Sequence, residues 1–352
     1  MKYLPFILFF LIVLLIYFCM QYYLIYRVFG FFTKIPKIWI YALIIALIFP
    51  VVTIIDRFFY STISTSIYYM STIWLGITFL TICTLLIFEI VNIIHPIFSN
   101  KIFGLILIVV IFCLATFSII NANNTKIKEL TISEFGSNLT IVQISDAHIG
   151  SIRGKAFLEN IIKKTNNLNP DLVVITGDFF DGSGRVSSDT IQKLDDIKAP
   201  IYFIMGNHET YTGEKDIVSE LNKTKVKILQ NEVAIFKNIQ IIGLNYSNSA
   251  EYVNKELNIL KINKSKPSML LNHEPRGYNY AKEKGIKLQL SGHTHGGQIF
   301  PFSIIVKAIT PKYKGLYSMD NFSLYVSEGV GTWGPPMRLG TNSEITLIHL
   351  TK

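Results

Sequence analysis

Four apolar stretches, each about 20 residues long, fill the first third of this chain and limit what it can fold into. They run over residues 4–23, 38–55, 69–94 and 102–120. A helix needs about 20 apolar residues to cross a bilayer, and soluble domains rarely place four such segments in series. Of the 24 acidic residues only Asp56 and Glu89 precede residue 126. The first stretch is not read as a signal peptide, because no small-residue cleavage site follows it and three further stretches do. Residues 1–121 are therefore expected to form a four-helix transmembrane region. Tyr22, Tyr23, Trp39 and Tyr41 lie where interfacial aromatic anchors belong, and Glu89 is expected near an interface.

Four spans leave both termini on one side of the membrane. The loop between the first two carries Arg27, Lys34 and Lys37, which makes it the cytoplasmic candidate. The C-terminal domain is then expected outside the cytoplasm. All three cysteines, Cys19, Cys83 and Cys113, fall in the apolar stretches. The rest of the chain therefore has no disulfide framework and no thiolate zinc site. The net charge of +9 divides almost evenly between the two parts, without a dense basic run. That balance fits attraction to anionic lipid or phosphate and does not indicate a nucleic-acid groove.

Residues 122–137 read as a linker and lead-in, opening on a polar run at 121–125. From 138 to 352 the periodicity changes to short Ile- and Val-rich runs alternating with amphipathic stretches, an α/β layered domain. Strands are expected at 139–145, 172–176, 201–205, 239–244, 268–272, 287–290, 324–326 and 345–350. Helices are expected at about 155–167, 186–197, 214–223, 252–260 and 276–284. This pattern does not distinguish a doubly wound parallel sheet from a sandwich.

The polar residues gather just after the carboxyl ends of those strands, where layered α/β proteins bind ligands. Asp146 and His148 follow one strand, and Gly177-Asp178 and Asp181 follow the next. Gly206-Asn207-His208-Glu209 follows the third, His273 follows another, and Ser291-Gly292-His293-Thr294-His295-Gly296-Gly297-Gln298 closes the series. Taken singly, each motif has an ordinary explanation as a turn, a helix cap or a hydrogen-bonded histidine. Five strand ends that all present Asp, Asn or His are not what packing demands. Mixed imidazole, carboxylate and amide donors without thiolate suit Mn, Fe or Zn. They outnumber what one ion needs, so a bridging carboxylate between two ions accounts for the surplus, and Asp178 is the natural bridge. Two such ions suit in-line attack at phosphorus.

These motifs, over about 150 residues, resemble the calcineurin-like metallophosphoesterases. The Gly-His-Thr-His-Gly-Gly-Gln ending and residues 325–340 resemble the membrane-associated branch of that family, which includes a transmembrane form. The resemblance implies a β-sandwich of two mixed sheets flanked by helices and a pair of divalent cations. It implies that Asp146, His148, Asp178 and His295 hold one ion, and that Asp178, Asn207, His273 and His293 hold the other. His208 would serve the phosphate or leaving group as proton donor, with Glu209 as its partner, and Arg338 would meet substrate phosphate or be a structural surface residue.

The expected function is that of a membrane-anchored phosphodiesterase or pyrophosphatase acting on a lipid or envelope-linked phosphoester. The alternatives are a tethered broad phosphomonoesterase and a metal-binding sensor or scaffold without turnover. A P-loop at Gly150–Lys155 fails on spacing, with three residues between its glycines rather than four.

Overall fold

The structure, a computed structural model, describes residues 4–94, 100–182 and 186–352. It divides into two compact units. One contains the chain up to Ile120 together with Gly334–Met337. The other contains Asn121–Trp333 and Arg338–Lys352.

The first unit is helical: α1 (Leu4–Gly30), α2 (Ile38–Phe58), α3 (Thr62–Ile94) and α4 (Asn100–Asn123). All four are long and apolar enough to cross a membrane. Each outruns its apolar stretch because polar and aromatic residues at the ends continue the helical hydrogen bonding. Several of the unit's polar side chains are paired across helices. Arg27, at the end of α1, forms an ion pair with Glu89 near the end of α3, and the buried Asp56 accepts Ser64 Oγ at 3.1 Å and Thr65 Oγ1 at 2.9 Å. Gln21 donates to Thr78 Oγ1 at 3.1 Å. In a medium without water such groups need internal partners.

The second unit is a sandwich of two mixed six-stranded sheets. In chain order its strands are β1 (Lys126–Ile132), β2 (Leu139–Ile144), β3 (Leu172–Thr176), β4 (Ile201–Ile204), β5 (Lys227–Ile228) and β6 (Glu232–Phe236). They continue as β7 (Ile239–Gly243), β8 (Ser268–Leu271), β9 (Leu288–Ser291), β10 (Gly315–Met319), β11 (Phe322–Val326) and β12 (Glu344–Leu350). One sheet has the order β1-β12-β2-β3-β4-β5 and the other β10-β11-β9-β8-β7-β6. In the first, β2, β3 and β4 run parallel, so their carboxyl ends meet at one edge. In the second, β7, β8 and β9 do the same. The sandwich expected from the resemblance is what forms.

The inner faces of the two sheets meet in a core that includes Ile141, Val174, Ile241, Met269, Leu288 and Ile348. The outer face of the first sheet is covered by α5 (Lys155–Asn167), α6 (Ser188–Gln192) and α8 (Glu214–Leu221). Their Leu158, Ile161, Ile191, Ile217 and Leu221 join its apolar cluster. α9 (Ala250–Ile259) and α10 (Tyr278–Glu283) cover the other sheet through Val253, Leu257 and Ala281. Strands with helices on one face and a sheet on the other are buried on both sides, which is why β3 and β4 read as continuous apolar runs.

Four strands lie outside the expected set: β1, β5, β6 and β10. All belong to the sheet edges or the last pairs, where half-exposed residues weaken the apolar signal. β1 exposes its first four residues and occupies 126–132 within the lead-in segment. The helix expected over 186–197 is α6 followed by a 3-10 turn at Lys193–Asp196. Two short helices, α7 (Asn207–Thr212) and α11 (Phe302–Ile309), also lie outside the expected set.

Candidate metal centre

The carboxyl ends of β2, β3, β4, β8 and β9 bring together all seven expected ligands and His208. The donor atoms form three groups, each with its atoms within 4.8 Å of one another: Asp146, His148 and His295; His148, Asp178 and His208; Asp178, His273 and His293. His148 Nε2 faces His295 Nε2 at 3.0 Å, and Asp146 Oδ1 lies 3.7 Å from the latter. On the other side Asp178 Oδ2 is 3.1 Å from His273 Nε2, which is 3.3 Å from His293 Nδ1. Asn207 Oδ1 lies 3.0 Å from His293 Nδ1. Asp178 and His148 stand between the groups.

The backbone reaches this geometry against its own preference. Asp146, His148, Asp178, His293 and His295 all lie in the left-handed region, with φ of 53, 48, 49, 70 and 49°. For side chains other than glycine that region costs about 1–2 kcal/mol per residue, and such strain gathers at functional sites. The surroundings hold it in place. Asp146 N–H donates to the Gly177 carbonyl at 3.0 Å and His148 N–H to the Asp178 carbonyl at 3.1 Å. Asp146 Oδ1 accepts the N–H of His293 at 2.9 Å, and its Oδ2 accepts Ser145 Oγ at 2.5 Å. Gly292 allows that approach, because a Cβ there would stand 2.1 Å from Asp146 Oδ2.

The imidazoles are oriented through their outer nitrogens. His273 Nδ1 lies 2.7 Å from the Thr176 carbonyl. A carbonyl only accepts, so Nδ1 carries the proton and Nε2 faces the centre. His208 Nδ1 likewise donates to the Asp181 carbonyl at 2.5 Å, which leaves Nε2 as its outward face. His293 Nε2 is 3.4 Å from Glu274 Oε1. Glu274 is itself fixed by Arg276 Nε at 2.6 Å and Tyr246 OH at 3.2 Å.

Glu209, expected as the partner of His208, has a structural part as well. It is fully buried, and its carboxylate accepts the amides of Asp178 and Gly206 on Oε2 at 3.0 and 2.7 Å and that of Phe180 on Oε1 at 2.9 Å. It ties the β3 and β4 turns together. Burial, then the neighbouring Asp178 carboxylate, raise its pKa to about 7. Arg338 is neither on the surface nor open to substrate. It is fully buried, donates to the carbonyls of Glu328, Gly329 and Gly331, and sits 3.3 Å from His295 Nδ1.

The charge balance favours cations. Burial works against ionising Asp178, but His273 beside it holds its carboxyl well below the usual carboxylate range. Burial also opposes charge on His273, yet Asp178 wins and raises it to about 10. His148 is raised as well, with Asp181 and Asp178 overcoming burial. Burial lowers His293, aided by His273, and lowers His295 well below its ordinary value, aided by His148 and Arg338. The buried carboxylates thus favour positive charge on the imidazoles of His273 and His148. Divalent cations on the same N and O donors would balance those carboxylates too, so the residues fit the metals expected of them.

Glu274 was not singled out in the sequence; it adjoins His273, and that adjacency was the only signal that could have found it. Nothing in the sequence marked Arg338 as buried.

The family model for calcineurin-like phosphoesterases matches residues 139–297. The chain is 37% identical over 265 residues to an uncharacterised metallophosphoesterase of Campylobacter jejuni, covering 71% of this chain and 70% of that protein. It is 36% identical over 237 residues to an uncharacterised metallophosphoesterase of Helicobacter pylori, covering 64% of each. A transmembrane protein with metallophosphoesterase domain from Danio rerio is 31% identical over 264 residues, which is 67% of this chain and 60% of that one.

Proposed function

Because the chain belongs to the calcineurin-like phosphoesterase family, whose members use a dinuclear divalent metal centre, we propose that it is a membrane-anchored metal-dependent phosphohydrolase. In this reading Asp146, His148, Asp178 and His295 hold one cation, and Asp178, Asn207, His273 and His293 hold the second. The ions are drawn from Mn, Fe and Zn. The bond cleaved is a phosphodiester or pyrophosphate on a lipid or envelope-linked molecule, and the catalytic domain lies outside the cytoplasm. The observation that carries the reading is the convergence of these donors at five strand ends, with Asp178 between the two groups.

When bound, two such cations stabilise phosphoryl charge and lower the pKa of a coordinated water from 15.7 toward about 7. The protein supplies the rest. Asp178 presents Oδ2 toward His273, while its Oδ1 is held by the N–H of His208 at 2.9 Å. That bond sets α7 against the centre and fixes the start of His208. With Nδ1–H committed to the Asp181 carbonyl, His208 turns Nε2 outward, and in its doubly protonated form that nitrogen donates to a phosphoryl oxygen or gives its proton to the leaving oxygen. A site that only bound metal would have no use for this histidine.

The test is hydrolysis of bis-p-nitrophenyl phosphate and p-nitrophenyl phosphate by the full chain in Mn²⁺, with a chelator control. Chelator-sensitive cleavage of the diester is expected, and Asp178→Asn abolishes it. An unchanged rate in that variant overturns the shared carboxylate. A lipid phosphodiester presented in the same bilayer is expected to be cleaved faster than the water-soluble diester, and equal rates overturn the lipid assignment.

A further inference from the structure

The helix that follows the metal-site turn is built inside out. None of the eight residues of α11 is buried. Ser303 and Val306 form its half-buried side, while Phe302, Ile305 and Ile309 recur at helical spacing as an exposed stripe, with Ile304 beside it. Ile305 is 52% exposed and Ile309 69%. The helix is nevertheless firmly seated, because Ser303 packs so closely on Gly297 that a Cβ there would come within 2.3 Å of its Cα. Trp333 is 57% exposed as well. Its backbone is gripped on both sides by Gln298, whose Nε2 donates to the Trp333 carbonyl at 2.9 Å and whose Oε1 accepts the Trp333 amide at 2.8 Å. These large apolar groups are therefore presented by packed, hydrogen-bonded backbone, and Lys307 and Lys312 lie on the same segment as Lys314, which is paired with Glu328 at 3.6 Å. Soluble surfaces seldom carry such a patch without a partner.

Its position in the chain identifies the partner. Phe300, just ahead of α11, donates its amide to the Leu339 carbonyl at 2.9 Å, and Ile299 bridges to Leu339. On either side of Leu339, the carbonyls of Arg338 and Thr341 accept Asn121 Nδ2 at 3.1 and 2.8 Å. Asn121 stands in the last turn of α4, whose segment Lys101–Asn123 is long and apolar enough to cross a bilayer. Arg153 adds a second hold through Asn123 Oδ1 at 2.7 Å and the Ala122 carbonyl at 3.1 Å. The apolar patch thus begins beside the residues at which the chain leaves the membrane.

We propose that Phe300, α11 and Trp333 form a membrane-docking surface, lying in the interfacial layer of the bilayer. The apolar side chains enter the acyl boundary, the indole sits at headgroup level, and Lys307 and Lys312 meet anionic headgroup phosphates. The proposal does not depend on which phosphoester is cleaved.

The test uses the full chain in vesicles of phosphatidylcholine and phosphatidylglycerol. Cys19, Cys83 and Cys113 are replaced by alanine, and a single cysteine at position 305 or 309 carries a nitroxide. A control label goes at 259, the exposed end of α9. Labels at 305 and 309 are expected to collide with dissolved oxygen several-fold more, relative to a water-soluble nickel chelate, than the label at 259. Equal chelate access at all three positions overturns the proposal. Labels shielded from both reagents, with dipolar broadening between chains, overturn it in favour of a second copy of the chain. A second measurement needs no cysteine. With Trp39 and Trp74 replaced by phenylalanine, Trp333 is the only tryptophan, and shallow brominated lipids are expected to halve its emission. Undiminished emission overturns the proposal. Neither readout uses hydrolysis, so failure of the enzymatic reading leaves both decisive.

Discussion

Replacing Glu209 separates the scaffold of the metal centre from its chemistry. Its buried carboxylate accepts three backbone amides, those of Asp178, Gly206 and Phe180. Glu209→Ala leaves all three without partners. A buried donor left unmade costs about 1–3 kcal/mol; at about 1–2 kcal/mol each, the loss is about 3–6 kcal/mol. A unit of this size moves by about 2–4 °C per kcal/mol, so the expected drop in Tm is about 6–24 °C. Glu209→Gln keeps the shape and one acceptor. With its carbonyl in the Oε2 position it retains the Asp178 and Gly206 bonds and sets a donor against Phe180 N–H, for a loss of about 1–3 kcal/mol. The assay is thermal unfolding of the full chain in detergent with chelator present, so that bound metal does not mask the difference. The alanine variant is expected to unfold well below the glutamine variant. Coincident unfolding of the two, or wild-type behaviour in both, refutes the three-amide role. The same curves carry a pH signature. The pKa of Glu209 rises from 4.5 to about 7 on folding, so the folded chain holds that proton more tightly. Its contribution is complete below about pH 4.5 and is lost as pH rises through about 7. Glu209→Gln cannot titrate and flattens that part of the profile.

Three further outcomes follow from the geometry. His208→Asn is expected to lower kcat by about 10²–10⁴-fold while bound metal, measured by atomic emission, stays at the wild-type level; loss of metal would make His208 a ligand instead. Arg338→Met leaves the carbonyls of Glu328 and Gly331 without this donor in the interior, and that of Gly329 with only the Glu344 amide, and is expected to cost about 3–5 kcal/mol, seen as a lowered Tm; a wild-type Tm refutes the structural role. Arg27→Gln and Glu89→Gln each leave one charge of the α1–α3 pair alone, so each single variant is expected to be less stable in detergent than the double variant. Additive effects in that cycle would mean the two side chains do not couple.

The sequence alone determined whatever depends on composition along the chain. Hydropathy located the four spans, because the cost of moving side chains into lipid is read residue by residue. Apolar runs located the strands that both layers cover, and the residues after those runs supplied every donor in the centre. Strands such as β1 and β10 escaped, since an edge strand buries only part of its surface and lacks a continuous apolar signal. Tertiary structure decided how the donors meet. The left-handed backbone at Asp146, His148, Asp178, His293 and His295 is imposed by neighbouring turns that no local propensity encodes. Glu209 and Glu274 acquired their parts because amides and an imidazole distant in sequence arrived beside them. Arg338 went from an expected surface or substrate-facing group to a buried clamp because three carbonyls of the 328–331 turn converge on it. Identity and spacing name the atoms that bind; only long-range packing fixes the distances and charges between them, and those decide which imidazoles hold protons and which nitrogens face the centre.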